Sequence, residues 1–340
     1  MPQKGEKQLR IIQYIGRDGA KRVGAVSSEN IVRTIRGAKT TFGLATEAIE
    51  KQTALQEIIE QRITDEKDDL KRIIDEKRIR VPFHHPDPYR QLITGTGLSH
   101  LGSASARDSM HAKISERDEE LTDSMKMFKW GVEGGKPGKN KIGAQAEWFY
   151  KGDGDWVVHP EASLNWPNFA LDGGEEIEIV GIYIIDNIGN VRRVGFALAN
   201  EYADHVMEKQ NYLNLAHSKL RQCSYGPELL LGDLPEDIKG KARLVRKDSV
   251  VWEDEWLSGN KNMCHSVENL EHHHFKYREF RRPGDVHIHF LGAANGSFTE
   301  NVETQDGDIF EIHSDFFGSP LRNTLTKDNS PGEKIIVKNL

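Results

Sequence analysis

Cysteine is almost missing from this chain: Cys223 and Cys264 are the only two among 340 residues. Two isolated thiols over that length argue against a disulfide scaffold and for a reducing compartment. Long apolar runs are lacking as well. No stretch approaches the ~20 residues that a spanning helix needs, and the opening residues MPQKGEKQLR hold no apolar signal region. The expectation is therefore a cytoplasmic protein with no membrane partner. Excess positive charge is missing too. The formal net charge is −7, which argues against a nucleic-acid partner, since such binders present a basic face. Neither a solenoid repeat nor a low-complexity tail is found. What is there, 37% hydrophobic residues with charges of both signs, is the composition of one large or two smaller globular domains.

The most informative stretch runs from Gly173 to Glu201, GGEEIEIVGIYIIDNIGNVRRVGFALANE. Glu176 to Ile185 is dense in the β-branched and aromatic residues that fit a pleated surface, and Asp186 to Asn190 supplies turn residues. A β-hairpin is predicted. Side chains alternate along a strand, so Glu176 and Glu178 share one face while Ile177 and Ile179 take the other. A turn centred near Ile188 and Gly189 returns Ala199 to Glu201 to the side of Glu176. A one-residue slip would send Glu201 to the opposite face, so convergence of the three carboxylates calls for a bulge at the strand end. Three converging carboxylates repel one another unless a hard divalent cation takes them as oxygen ligands. Mg²⁺ or Mn²⁺ is the expected occupant, with Ca²⁺ as an alternative. Local spacing alone is better served by a bland account, in which the two glutamates line the solvated face of a strand, since E-x-E on a half-exposed strand is common.

Further motifs stand on both sides of this hairpin. Trp148-Phe149-Tyr150-Lys151 lies upstream, Lys219 precedes Gly226-Pro227, and Arg282-Pro283-Gly284-Asp285-Val286 leads to Gly292-Ala293-Ala294-Asn295-Gly296. Asp306-Gly307-Asp308 and Leu321-Arg322-Asn323 close the series. In this order, over residues 148–323, the motifs resemble those of the fumarylacetoacetate hydrolase superfamily. That family has an E-x-E strand, a G-x-x-x-x-N-D strand, an F-x-K segment, a lysine ahead of a G-P turn, L-x-P-G-D-V and G-T-P-x-G. The runs GTGLSHLGSASARD and EKQNYLNLAHSKLRQCSYGPEL resemble its GguC-like subgroup, which is associated with sugar-acid catabolism.

The resemblance implies an α+β, β-rich protein: a β-roll catalytic core over residues 86–340 behind a small N-terminal α+β domain over residues 1–85, assembled as a homodimer. It implies Glu176, Glu178 and Glu201 as metal ligands, Glu201 standing where the family usually has Asp. Lys219 and His100 become the acid/base candidates, and Lys151, His205, Gly292 and Ala293 the substrate contacts. His205 occupies the place of a family Arg, so altered substrate contacts are expected. The family's hydrolytic members carry an H-x-x-E pair in a lid loop, whereas here His100 is followed three positions on by Ser103 and His111 by Ile114. The implied chemistry acts on a 2-oxo acid through a metal-stabilised enolate. Without the His-Glu pair, the reading leans to dehydration of a 2-keto-3-deoxy sugar acid. Hydrolysis of a carbon–carbon bond in an acylpyruvate is the alternative. A silent paralogue that only binds a keto acid is a third reading, kept open by Glu201 and His205.

The remaining segments are read from local pattern. Residues 9–36 alternate around Asp18-Gly19 and predict a hairpin. Residues 41–78, with apolar positions at Ala48, Ile49, Leu55, Ile58, Ile59 and Ile63 among many charges, predict helices. Ile79 to Phe83 and the prolines at 82, 86 and 88 predict a linker. Gly95 and Gly97 suit a tight loop, with Ser103 or Ser105 capping a following helix. GVEGGKPGKN, residues 131–140, is expected as a mobile loop over the site. Cys264, His265 and His272 to His274 fit no common zinc spacing, and a helix from Ser266 to Tyr277 is the simpler account. His287 and His289 share one strand face and suit packing.

Overall fold

The structure, a computed structural model, describes residues 8–102 and 121–340. The chain starts with a meander, β1 (Arg10–Ile15), β2 (Lys21–Val26) and β3 (Ile31–Ile35). Its first turn uses Gly19 at φ 79°, a conformation glycine adopts without strain. Two helices follow, α1 (Thr41–Lys51) and α2 (Leu55–Glu60), and Thr40 caps the first by accepting from the Gly43 amide. Residues 63–69 differ from the helical expectation. They form β4 (Ile63–Asp69), paired with β3. The free backbone edge of β3 outweighs a modest helical preference here, and charged side chains are what an outer strand tolerates. After α3 (Leu70–Asp75) the expected linker is partly ordered into β5 (Ile79–Arg80), which pairs with β1.

The rest of the chain supplies β6 (Gln91–Gly95), α4 (Asp123–Gly134), β7 (Phe149–Asp153), β8 (Val157–Val158) and β9 (Ser163–Trp166). Next come the long hairpin β10 (Ile177–Ile185) and β11 (Val191–Asn200), then the short helices α5 (His205–Gln210) and α6 (Leu215–Lys219). β12 (Cys223–Tyr225), β13 (Leu229–Leu230), β14 (Ile238–Arg246), β15 (Ser249–Ser258), α7 (Val267–Phe275), β16 (Val286–Phe290), β17 (Ile309–His313) and β18 (Leu321–Lys327) complete it. One sheet follows the order β4, β3, β2, β1, β13, β11, β10, β16, β6, β7, with β5, β8 and β12 attached at its sides. A second, five-stranded sheet runs β15, β14, β17, β18, β9. The fold is thus α+β and strand-rich, and the N-terminal meander joins the large sheet through β1 and β13.

The hairpin lies at the centre, and every residue of β10 is buried. Val180, Ile182 and Ile184, with Ala197 and Ala199 opposite, face a core completed by Leu44, Ile58, Ile93 and Phe290. Ile177, Ile179, Phe196 and Leu198 face the other way, onto Leu164, Trp256 and Phe310 between the sheets. Each fully buried aliphatic side chain of this kind contributes about 1.5–3 kcal/mol, so the hairpin is held from both faces.

A bulge sets its register. Pairing from the turn runs Ile185↔Val191 to Tyr183↔Arg193, then steps to Ile182↔Gly195, leaving Val194 as the extra residue. Without that step Glu176 would face Asn200, and Glu201 would point to the opposite side. With it, Ile177 pairs with Asn200, and the Glu201 amide donates to the Glu176 carbonyl at 3.1 Å. The bulge therefore lies near the turn, away from the strand end where it was expected.

Two other local expectations change. Residues 131–134 are the last turn of α4 and not loop. A Cβ at Gly131 or Gly135 would overlap the His265 ring, so glycine lets this helix end approach the α7 segment closely. The predicted caps Ser103 and Ser105, together with His111, lie outside the described residues. In the histidine-rich region, His274 of α7 bonds to His287 at 3.0 Å and stacks on His289 at 4.4 Å between centroids, both on β16. Cys264 instead donates its thiol to the Leu98 carbonyl.

Two outcomes follow from this packing. At Gly195 a Cβ would overlap the Leu230 carbonyl, so Gly195→Ala should lower unfolding stability by about 1–3 kcal/mol, seen as a lower denaturant midpoint at constant slope. An unchanged midpoint would contradict the tight β11–β13 contact. Burial pushes His287 down to about 4 and His289 to about 3. Their folded values lie below the unfolded value of about 6.5, so their contribution is complete above that pH and is lost as pH falls through 4. His289→Asn should make stability between pH 6.5 and 4 less steep by up to about 1.4 kcal/mol per pH unit. An identical slope would refute this.

Candidate metal centre and its surroundings

The face of the hairpin that is apolar through Val180 and Ala197 turns acidic at the strand ends. Alternation puts Glu176 and Glu178 on it from β10, and the bulged register adds Glu201 just past β11. Ligand oxygens of these three side chains lie within 4.8 Å of one another. Glu201 has no exposed surface and Glu178 is 2% exposed.

Cations from three further elements answer this charge. Lys219, at the end of α6, donates to Glu201 Oε2 at 2.7 Å and also to Glu176. Lys151 of β7 is fully buried, with Nζ 2.5 Å from Glu201 Oε1, and donates to the carbonyls of Tyr202 at 2.7 Å and Lys219 at 3.0 Å. His205, first residue of α5, places Nε2 3.1 Å from Glu176 and Nδ1 3.4 Å from Asp172. Burial opposes charge on His205, but contact with Asp172 and Glu176 overcomes it and holds the ring up to about 10. Burial likewise opposes the Lys219 ammonium, and Glu176 and Glu201 raise it nonetheless.

Glu178 is the exception. Among the described residues its one hydrogen bond is from the Gly292 amide, at 2.8 Å. Burial, then the charges of Glu176 and Glu201, hold its pKa well above the ordinary range. A buried carboxylate without a cation of its own, within reach of two more carboxylates, is a donor set that fits a divalent ion with oxygen ligands.

The surroundings include groups that motif reading passes over. Glu147 is half-buried, accepts a hydrogen bond from the Tyr212 hydroxyl, and has its pKa raised, first by burial and then by Glu208 against the pull of Lys219. Phe149 lies beneath Lys219, with Nζ 5.2 Å from the ring centroid. Gly97 leaves the space that Glu147 enters, since a Cβ there would overlap its carboxylate. A signal for Glu147 does exist in the sequence: residues 147, 149 and 151 alternate, so the glutamate leans to the same side as Phe149 and Lys151. Asp172, Glu208 and Tyr212 have no such signal, because irregular chain or a separate helix brings them in.

Of the residues singled out in the sequence, Glu176, Glu178, Glu201, Lys219, Lys151 and His205 come together, and Gly292 touches the group through its amide. Ala293 follows in the same loop and is partly buried. His100 is differently placed. Its ring is buried, bonded to Ser99 at 3.1 Å and Ser258 at 2.8 Å, and burial lowers it to about 3. Lys151 was expected at a substrate carboxylate, and its ammonium is instead engaged by Glu201 and two carbonyls.

No protein-family model and no curated protein matches the chain. Solved structures do. Over 94% of this chain and all of theirs, it superposes on 2-keto-3-deoxy-D-arabinonate dehydratase in its apo form, with TM-score 0.67 and 15% identity. The same enzyme complexed with magnesium and 2,5-dioxopentanoate gives 0.66 and 16%. A 2-hydroxyhepta-2,4-diene-1,7-dioate isomerase from Mycobacterium marinum gives 0.55 and 14%, over 95% of this chain and all of that one. These likenesses establish the fold, in agreement with the motif resemblance. No helix among the described residues is long and apolar enough to cross a membrane.

If the acidic trio holds a metal, Glu201→Gln should weaken Mn²⁺ binding by about 100-fold or more in isothermal titration. A change of less than threefold would remove Glu201 from the ligand set.

Proposed function

We propose that this chain is a divalent-metal-dependent lyase that removes water from a 3-deoxy-2-oxo sugar acid, with Glu176, Glu178 and Glu201 as ligands. Lys219 and Glu147 are its proton-transferring pair. The observation that carries the reading is a lysine bonded to Glu201 and Glu176, with a carboxyl of raised pKa, Glu147, within electrostatic reach of that lysine and of Glu176. A divalent cation bound there, Mg²⁺ by preference, would polarise the keto oxygen of the acid and relieve Lys219 of the anions that now hold its proton.

Lys219 then takes the proton from the carbon next to the keto group. Glu147, its pKa raised by burial and its carboxyl oriented by Tyr212, delivers a proton to the hydroxyl one carbon further on, which leaves as water. The carbon–hydrogen and carbon–oxygen bonds break and a carbon–carbon double bond forms, so no external reactant is consumed. His205 remains charged and positions Glu176, while the Gly292 amide orients Glu178. His100 has a structural role.

Elimination is favoured over carbon–carbon hydrolysis because neither His100 nor His205 is available to activate water. His100 is enclosed by serines, and His205 is held protonated by two carboxylates. The magnesium and 2,5-dioxopentanoate complex of the structural neighbour supports the same class of ligand.

With Mg²⁺ and 2-keto-3-deoxy-D-arabinonate, the purified protein should release water and form an unsaturated hydroxy 2-oxo acid, which becomes a dioxo acid when its double bond migrates to an enol and the enol tautomerises, as followed by NMR. Lys219→Ala and Glu147→Gln should each lower kcat by about 10²–10⁴-fold. Pyruvate release from an acylpyruvate, or no turnover of either acid, would overturn the assignment.

A further inference from the structure

Away from the acidic trio, a cavity of about 110 Å³ opens where the N-terminal meander meets the segments leading into and out of the core. Lys21, Lys39, Arg80, His84 and His159 all line it, and no carboxylate does. Such one-sided lining is unexpected in a chain of net charge −7. We propose that this cavity is a binding site for a phosphate-sized oxyanion, carried either as inorganic phosphate or as the phosphate ester of a small molecule.

The donors are fixed by their neighbours. The Gln13 amide accepts from the Thr41 backbone at 2.7 Å and donates to the Val81 carbonyl at 2.6 Å, so its orientation is set from both ends. The same Nε2 donates to His84 Nδ1 at 3.2 Å, which places the proton of the neutral ring on Nε2. The Val81 amide donates to His159 Nδ1 at 3.3 Å and fixes that ring in the same way. Neither Nε2 has a partner among the described residues. Burial lowers both histidines, with Lys21 adding to the effect at His84 and Arg80 at His159, so each is a neutral donor.

Among the described residues Arg80 gives only Nη1 to its surroundings, at the carbonyls of Lys77 and Ile79. That leaves Nε and Nη2, the edge able to grip two oxygens of one anion. Lys21 and Lys39 carry no ion pair among the described residues, and Thr40 caps the eleven-residue α1 beside them. The volume is well under the ~300–1,000 Å³ of sites that enclose whole small molecules. Any larger ligand would therefore leave all but its anionic group outside.

Isothermal titration of the full chain with inorganic phosphate, in EDTA and at fixed ionic strength, tests this. One phosphate should bind per chain. Lys21→Gln combined with Lys39→Gln, both exposed positions, should weaken it at least tenfold, Arg80→Gln should do the same, and Glu178→Gln should leave it unchanged. Ribose 5-phosphate binding tenfold tighter than phosphate would mark a phosphate ester as the ligand, and equal binding would mark the free oxyanion. Absence of binding, binding undiminished by the lysine pair, or a titration reproduced by chloride at equal ionic strength would overturn the proposal.

Discussion

Negative charge concentrated inside the protein is the constraint around which the hairpin and its neighbours are built. Three carboxylates on one sheet face cannot stay ionised there unaided, because burial and mutual repulsion both favour protonation. Lys219 and Lys151 approach Glu201 from two elements, and His205 approaches Glu176 from a third. Removing one member of so buried a set leaves its partner without an opposite charge, a change that costs about 3–5 kcal/mol in such pairs. The helices α5 and α6, short and polar, are explained by this duty more than by any contribution of their own to the core.

Placement of the acids depends on the sheet beneath them. β10 and β11 are packed on both faces, so the hairpin cannot shift its register to relieve repulsion. The one extra residue at Val194 then decides which side Glu201 takes. Apolar packing and acidic convergence are thus two ends of the same strand face, the first making the second rigid enough to hold an ion. Glu147 belongs to the same logic, since it reaches the site only because Gly97 lacks a side chain.

Much of this was legible in the sequence. Alternation in β10, the turn at Asp186 to Asn190 and the E-x-E spacing suffice to predict the hairpin and its acidic end, because strand periodicity is a local property. The position of the bulge was not, since it answers to pairing with β13 and β16 far away in the chain. β4 was hidden for a related reason: a charged run becomes a strand only when an unpaired edge is nearby. Gly131 to Gly134 read as loop by composition, yet the close approach of His265 makes glycine the residue that lets the helix end there. The inward burial of Lys151 and the enclosure of His100 likewise depend on contacts more than 50 positions away in sequence. The motif resemblance named Lys219 without telling that it would bridge two of the acids.

The central claim is that Glu176, Glu178 and Glu201 act together on one cation. Crystals of the protein grown or soaked with Mn²⁺ and measured near the manganese absorption edge address it directly. The account predicts a single anomalous peak at about 2.1–2.3 Å from one oxygen of each glutamate, with the Lys219 ammonium moved off at least one of its two carboxylates. An empty site with Lys219 still bridging Glu176 and Glu201, or a peak elsewhere in the chain, would contradict it.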